Sequence, residues 1–269
     1  MRFTYHYLFF LFIVLITSSG YAQEKKIKLT TDFYNEIGKY NLSEILTADS
    51  ILAVDQIDGE ITERRIKRGE ILGFIGDKYQ RILIHLISVV KNPKKPGEYL
   101  IYGKSKVKEN ICSFRGTLKI LEARLYRNNS IPKYREGLMV SELYLNEEKQ
   151  QVSAGFFKGK LYSRFVLDDS NKLKYCAINF ATDGFLNNAF TGSWTSYKGG
   201  ASKKCNWGDF RIPGSGDLDI GAGEFSVNSR YLENGWKTYK DAHADLREEG
   251  YTEEIIAKAM EKENEQWWK

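Results

Sequence analysis

The sequence predicts a mainly β protein, an antiparallel meander that closes into a barrel or a strongly curved sheet and is followed by a C-terminal helical hairpin. Three segments repeat one pattern: an aromatic residue, a polar residue, glycine, a polar residue and a large apolar residue. These segments are 114–118, 157–161 and 190–194. Alternate residues of a strand share one face, so the aromatic residue, the glycine and the apolar residue lie together. Glycine inside a strand marks a bend or the close approach of another chain, which predicts curvature around an apolar interior.

About eight strand-like segments follow one another between residues 81 and 211. Turn residues separate them, among them Asn128-Asn129 and Asp183-Gly184. Short loops join only antiparallel neighbours, and no helical pattern intervenes, so the strands should follow in meander order. Eight strands can close around a packed core or one small ligand.

Segments on either side complete the predicted organisation. Residues 23–80 form a mixed N-terminal segment with a short helix and a strand pair about the Asp58-Gly59 turn. The barrel extends over 81–236 and includes a glycine-rich loop region at 203–236. Residues 237–269 hold two helices, the first over 239–249 and ended by Gly250, the second capped by Thr252.

The first 22 residues resemble a secretory signal peptide. Arg2 supplies a positive charge, an apolar run covers 8–16, and the small residues Gly20 and Ala22 mark a cleavage site. The apolar run is shorter than the about 20 residues that cross a bilayer. We therefore expect an exported protein, periplasmic, secreted or at the cell surface, whose mature chain has no transmembrane segment.

The charge of the chain indicates which classes of partner it can bind, and its cysteines indicate which disulfide it could form. The net charge is +5, and loss of Arg2 leaves +4 with the two signs interspersed, which argues against a nucleic-acid partner. The three cysteines allow one disulfide, for which Cys176 and Cys205 are the preferred pair, but three buried free thiols, Cys112 included, are an equal alternative. The sequence does not predict an oligomeric state.

The predicted ligand-binding residues lie late in the barrel. Trp207 stands beside Asn206, Asp209 and Arg211, and an aromatic floor with polar neighbours is typical of a sugar or small-ligand site. Trp194, from the third repeat, is the fifth candidate. The structural alternative is a packing tryptophan with an Asp209–Arg211 ion pair.

An acidic loop at 217–224 carries Asp217, Asp219 and Glu224 with two glycines. Such a loop could wrap a calcium ion, but its spacing lacks the full oxygen set that calcium needs. The alternative is a tight turn whose aspartates cap backbone amides or pair with Arg211. No metal site is therefore predicted.

Catalytic motifs are lacking. Neither a GxSxG nor an HExxH nor a phosphate-binding loop occurs. His85 lies in an apolar strand pattern and is predicted to be a core residue, and His243 is predicted to be an exposed helix residue. Acids of the 183–224 region could act as a glycosidase pair. No catalytic residue and no cofactor is predicted, and a non-enzymatic role is favoured.

The segment Phe190-Thr-Gly192-Ser-Trp194 resembles the Gly-x-Trp strand of the calycins, the group of lipocalins and avidins. The resemblance implies a barrel that holds a small ligand. Three functions follow from the sequence: a secreted β-barrel that binds a small apolar or saccharide ligand, an extracellular carbohydrate-active hydrolase, or an envelope scaffold that acts through protein contacts. The first is preferred.

Overall fold

The computed structural model describes residues 29–269, so the predicted signal peptide lies outside the described residues. Over this range the chain forms mainly strands, with four short α-helices. The strands are β1 Thr30–Asp32, β2 Ser50–Ile57, β3 Glu60–Lys67, β4 Leu72–Ile75, β5 Gln80–Arg81, β6 Leu83–Lys91, β7 Glu98–Val107, β8 Asn110–Tyr126, β9 Arg135–Glu147, β10 Gly155–Leu167, β11 Leu173–Tyr175, β12 Asn187–Ser196 and β13 Ser202–Asp209. The helices are α1 Tyr34–Ile37, α2 Ser43–Thr47, α3 Lys237–Ala242 and α4 Glu253–Glu263, with 3₁₀ turns at Gly216–Leu218 and Ser229–Asn234.

Eleven strands form one antiparallel sheet that curls into a half-barrel. Its order is β5-β4-β13-β12-β10-β9-β8-β7-β6, while β1 pairs with β8 and β11 pairs with β10. The two ends approach each other, because an isolated antiparallel bridge joins Ile71 to Ile84. The prediction of a mainly β, strongly curved antiparallel sheet with C-terminal helices is confirmed.

The glycine repeats lie on β8, β10 and β12 of the sheet, where β10 and β12 are neighbours and β9 separates β8 from β10. Across β10 and β12, Phe157 lies opposite Trp194 and Gly159 lies opposite Gly192. Phe114, Phe157 and Phe190 are completely buried, whereas Trp194 is half-buried. The shared inward face that the period of two predicted is therefore present for the three phenylalanines.

Side chains from several strands fill the concave face. Phe157 packs edge-on against Phe114 and Trp207, with ring centroids 6.2 and 5.6 Å apart. Trp207 also stacks on Phe190 at 3.7 Å. These rings belong to one continuous hydrophobic core, so the concave face is occupied by the protein's own side chains.

Two peripheral units lie beside the sheet. The β2–β3 hairpin turns at Asp58-Gly59, as predicted, and both residues have positive φ angles, 51° and 87°.

The first C-terminal helix, α3, ends at Ala242 instead of continuing to residue 249. The carboxylate of Asp245 accepts a hydrogen bond from the backbone N–H of Arg247 at 2.9 Å, and this local turn competes with the helix.

The final helix begins where the sequence predicts. The hydroxyl of Thr252 accepts a hydrogen bond from the backbone N–H of Ile255, which caps α4. α4 buries only Ala259 among its residues. At 11 residues it is the longest helix of the described chain, and no helix of residues 29–269 is long and apolar enough to cross a membrane.

Candidate functional site

A cleft of about 1100 Å³ lies outside the filled concave face. The end of the β2–β3 hairpin, the segment 180–185, the loop after β13 and the two C-terminal helices surround it. Its aromatic and apolar lining comprises Leu72, Phe180, Phe185, Phe210, Phe225, Tyr239, Met260 and Trp268. Its charged lining comprises Asp49, Arg64, Lys67, Arg68, Glu70, Arg81, Asp183, Arg211, Glu224 and Glu263, with His85 and His243 beside them.

Three phenylalanines form one wall of the cleft. The ring of Phe180 lies 4.9 Å from that of Phe185 and 5.0 Å from that of Phe210. Phe210 directly follows β13 and has a φ of 66°, which is uncommon for a residue with a bulky side chain. The sheet thus ends in a sharp turn that brings this ring against the segment 180–185.

Arg81 and Glu263 close one side of the cleft. The two guanidinium nitrogens Nη1 and Nη2 of Arg81 donate to Oε1 and Oε2 of Glu263 at 2.7 and 2.5 Å. The guanidinium also lies over the rings of Trp236 and Tyr239, at 5.3 and 5.4 Å. This two-pronged pair fixes the end of α4 against the sheet. Burial raises the pKa of Tyr239 and keeps its hydroxyl protonated.

Arg68 belongs to a buried polar network beneath the cleft. Its Nη2 donates to Asp209 at 2.9 Å, and Asp209 also accepts from the hydroxyl of Tyr175 and from the side-chain amide of Asn188. Burial raises the pKa of Tyr175 well above its usual value, and the negative charge of the neighbouring Asp209 is the second cause of this rise. These partners satisfy both carboxylate oxygens of Asp209, and the network serves to hold β13 against the chain before β4.

The Nε atoms of Arg68 and Arg81 are buried and have no hydrogen-bond partner within residues 29–269. Both side chains line the cleft. Their terminal nitrogens are bound to Asp209 and Glu263, respectively, so the position of each guanidinium is already set by the protein.

Three carboxylates of the cleft are open, those of Asp49, Asp183 and Glu224. Neither Asp183 nor Glu224 forms a side-chain hydrogen bond or ion pair in the described part of the chain, and both are exposed. A backbone hydrogen bond of 2.9 Å from the N–H of Gly184 to the carbonyl of Gly223 joins their two loops. This contact therefore holds the two loops that carry Asp183 and Glu224 together at the wall of the cleft.

His85 lies at the opposite side and is not the core residue that the sequence predicted. Its ring stacks on Trp268 with centroids 3.7 Å apart, and its Nδ1 lies 3.6 Å from a carboxylate oxygen of Glu70. About a quarter of its side chain is exposed. The apolar pattern of β6 was misleading here, because β6 is an end strand whose position 85 faces the C-terminal tail. His243 is exposed, as predicted, at the end of α3.

Of the five predicted ligand-binding residues, only Arg211 lines this cleft. Trp207 is buried against Phe190, and Trp194 donates from its Nε1 to Glu147 at 2.9 Å. Asn206 is also buried and donates to the carbonyl of Pro213. The structure therefore does not bring the five into one pocket.

Of the structural alternative, the packing tryptophan is present, since Trp207 is buried, but the Asp209–Arg211 ion pair does not form. Asp209 and Arg211 are two residues apart on the terminal turn of β13, and each side chain finds another partner: Asp209 binds Arg68, and Arg211 binds Asp219. The sharp turn at Phe210 separates their directions.

The acidic loop is organised around Arg211. Nε and Nη2 of Arg211 donate to one carboxylate oxygen of Asp219, at 2.8 and 2.5 Å, while the other oxygen accepts the N–H groups of Gly221 and Ser226. Asp217 binds Arg230 and Tyr231 instead. Within residues 29–269 no group of three or more His, Cys, Asp or Glu side chains is arranged to hold a metal ion.

The cysteines do not form the preferred Cys176–Cys205 disulfide. All three are buried free thiols, the alternative that the sequence left open. Cys176 lies just after the end of β11 and Cys205 within β13, and each packs into hydrophobic surroundings. Burial raises the pKa of Cys112 to about 11 and raises those of Cys176 and Cys205 as well.

Comparisons with known proteins find no matching family model, no matching curated protein and no matching solved structure. The interpretation of the site therefore depends on its own geometry.

Proposed function

We propose that this protein is a non-catalytic binding protein and that it takes a small saccharide in the cleft between the sheet and the C-terminal helices. One observation carries the proposal: an aromatic wall and charged side chains meet in an open cleft of about 1100 Å³. Binding sites for small ligands are commonly concave, with apolar walls and a few polar groups that orient the ligand. The volume suits a short oligosaccharide.

The lining favours a saccharide over an apolar ligand. A sugar ring offers one apolar face to an aromatic side chain and hydroxyl groups to polar side chains, and the cleft supplies both kinds of contact. A wholly apolar ligand would desolvate the carboxylates of Asp183 and Glu224 without giving them a partner, which is costly. The concave face of the sheet, where a calycin would hold its ligand, is filled by Phe157, Trp207 and their neighbours.

The export predicted from residues 1–22 is consistent with this function. An exported protein would meet polysaccharides of the envelope or the surroundings. We propose the exported location together with the ligand class, and the calycin resemblance as an architectural analogy only.

Binding to a panel of immobilised glycans, followed by calorimetry in solution, tests the proposal. Replacement of Trp268 by alanine should weaken binding of the selected oligosaccharide by about tenfold or more, because stacking on an aromatic ring supplies much of the energy of such contacts. Leu100→Ala removes a half-exposed apolar side chain outside the cleft and should leave the affinity unchanged. The absence of any bound glycan, or equal affinity for Trp268→Ala and the unchanged protein, would contradict the proposal.

A second candidate is a carbohydrate hydrolase, and the open carboxylates of Asp183 and Glu224 favour it. Glycosidases use two carboxyl groups on either side of the glycosidic bond. Release of new reducing ends from the bound oligosaccharide, lost in Asp183→Asn, would establish this activity. Binding without release leaves the non-catalytic function in place.

A further inference from the structure

We propose that the ligand of the cleft is cationic: a saccharide that carries a free ammonium group. The inference rests on the proposed function and specifies the chemical class of its ligand. The charge balance of the cleft, its open carboxylates and the position of Arg64 support it independently.

The cleft is surrounded by an excess of negative charge. Five cationic side chains and five carboxylates line it. Three more carboxylates, those of Asp55, Asp209 and Asp219, lie behind this lining and bind three of the lining arginines. Acids therefore outnumber cations by three in and directly around the cleft, and a cationic ligand is attracted to it.

The lining cations are also engaged. Lys67 donates from Nζ to the side-chain oxygen of Asn264 at 2.9 Å, and both terminal nitrogens of Arg81 are taken by Glu263. Arg68 and Arg211 are held by their own aspartates. By contrast, Asp183 and Glu224 have no partner in the described chain. The unpartnered Nε atoms of Arg68 and Arg81 belong to guanidinium groups that are already paired with carboxylates. Apart from Lys67, the lining charges that lack a counter-charge are therefore negative.

Arg64 shows how the cleft holds a cation. Its guanidinium carbon lies 5.7 Å from the centre of the Phe180 ring, and its Nη2 lies 3.5 Å from Asp55. More than half of the Arg64 side chain is exposed. The mouth of the cleft thus already accommodates a positive group between an aromatic face and a carboxylate, a geometry that ammonium ligands also favour.

An ammonium substituent fits these groups better than a neutral or an anionic one. It offers three donors to carboxylate oxygens and binds to aromatic faces. A neutral sugar would leave the carboxylates without a counter-charge when the cleft loses water, and an anionic sugar would be repelled. An amino sugar combines the required ring with the required charge.

Two oligosaccharides that differ only in the amino group provide the test. The glucosamine tetramer carries ammonium groups, and the N-acetylglucosamine tetramer has the same ring without the charge. Calorimetry with the full chain should give at least about tenfold tighter binding of the glucosamine tetramer. Raising the salt from about 0.02 M to about 0.5 M should weaken that binding, because salt screens exposed charges.

Matched variants separate the cleft acids from general charge effects. Asp183→Asn and Glu224→Gln should each weaken binding of the glucosamine tetramer by about tenfold, the loss expected for one charge-assisted hydrogen bond. Glu109→Gln removes an exposed acid that lies outside the cleft and should change nothing. All three acids are exposed, so the variants should fold normally.

The outcomes distinguish this inference from the function on which it rests. Equal affinity for the two tetramers, tighter binding of the acetylated one, or an equal loss in Glu109→Gln would overturn the cationic ligand while a saccharide function stands. Binding only of other, uncharged glycans would do the same. If no glycan of any kind binds, both the function and the inference are wrong.

Discussion

Gly159 lies directly opposite Gly192 on strands β10 and β12, and the ring of Phe190 covers both. A Cβ atom placed on either glycine would come 2.7 or 2.6 Å from Cζ of Phe190. The repeated glycines therefore make room for an aromatic ring of the same sheet. Their role is close packing across two strands.

Valine at Gly192 should therefore destabilise the protein even though valine is a good strand former. The added side chain collides with Phe190 and with the backbone of Lys158, and we expect a loss of about 3 kcal/mol in the free energy of unfolding, measured by urea titration. Gly69→Val is the control, because nothing lies within 4 Å of a Cβ at Gly69. Equal stability of the two variants would contradict this account.

Phe157 should be sensitive to truncation. It is completely buried and contacts both Phe114 and Trp207. Phe157→Ala should lower the free energy of unfolding by about 3–5 kcal/mol, because it removes buried apolar surface and leaves a cavity. Val152→Ala, at an exposed turn position, should change it by less than about 0.5 kcal/mol. A small loss for Phe157→Ala would show that the core can collapse around the gap.

The loop at 217–224 should not respond to calcium. Arg211 and two backbone N–H groups already occupy the carboxylate of Asp219. We expect the same melting temperature in calcium and in chelator, since a bound ion would raise it by mass action. Asp219→Asn should cost about 2–4 kcal/mol, because it leaves Arg211 without its counter-charge. A calcium-dependent rise that this variant abolishes would restore the metal interpretation.

The three thiols should be unreactive in the folded protein. Cys112, Cys176 and Cys205 are buried, and the raised pKa of each thiol disfavours the reactive thiolate, with that of Cys112 at about 11. A thiol reagent at about pH 8, near the usual pKa of a free cysteine, should therefore label none of them in the native state. After unfolding in denaturant without reductant it should label all three. Labelling of one thiol only would reveal a disulfide.

The sheet could be predicted from the sequence because its determinants are local. A period of two, glycines at matching positions and turn residues between strands fix which face of each strand points inward. The register that places Gly159 opposite Gly192 follows from that pattern once β10 and β12 are neighbours.

The cleft could not be predicted in this way, since its walls come from distant parts of the chain. Arg81 and Glu263 are 182 residues apart, and His85 meets Trp268 near the end of the chain. Trp207 and its polar sequence neighbours are of the residue types found in ligand-binding sites, yet the position of Trp207 in β13 places its ring against Phe190 in the core. Only tertiary packing separates an aromatic residue of the core from one that lines a site. The adjacent aromatic residues Trp267 and Trp268 near the end of the sequence are the only local indication of this wall.

The Arg81–Glu263 pair should control how firmly the C-terminal segment covers the cleft. Glu263 ends α4, where a negative charge is unfavourable to the helix dipole, and Arg81 compensates it. Because α4 buries so little apolar surface, Glu263→Gln should release it locally: amide exchange over 253–268 should accelerate by about tenfold or more, while exchange in β8–β10 stays slow. Glu261→Gln, an exposed acid on the same helix, is the control and should not alter exchange. Uniform acceleration across the sheet would mean that the pair stabilises the whole fold, and unchanged exchange over 253–268 would mean that the stacking of Trp268 on His85 is sufficient to hold the segment in place.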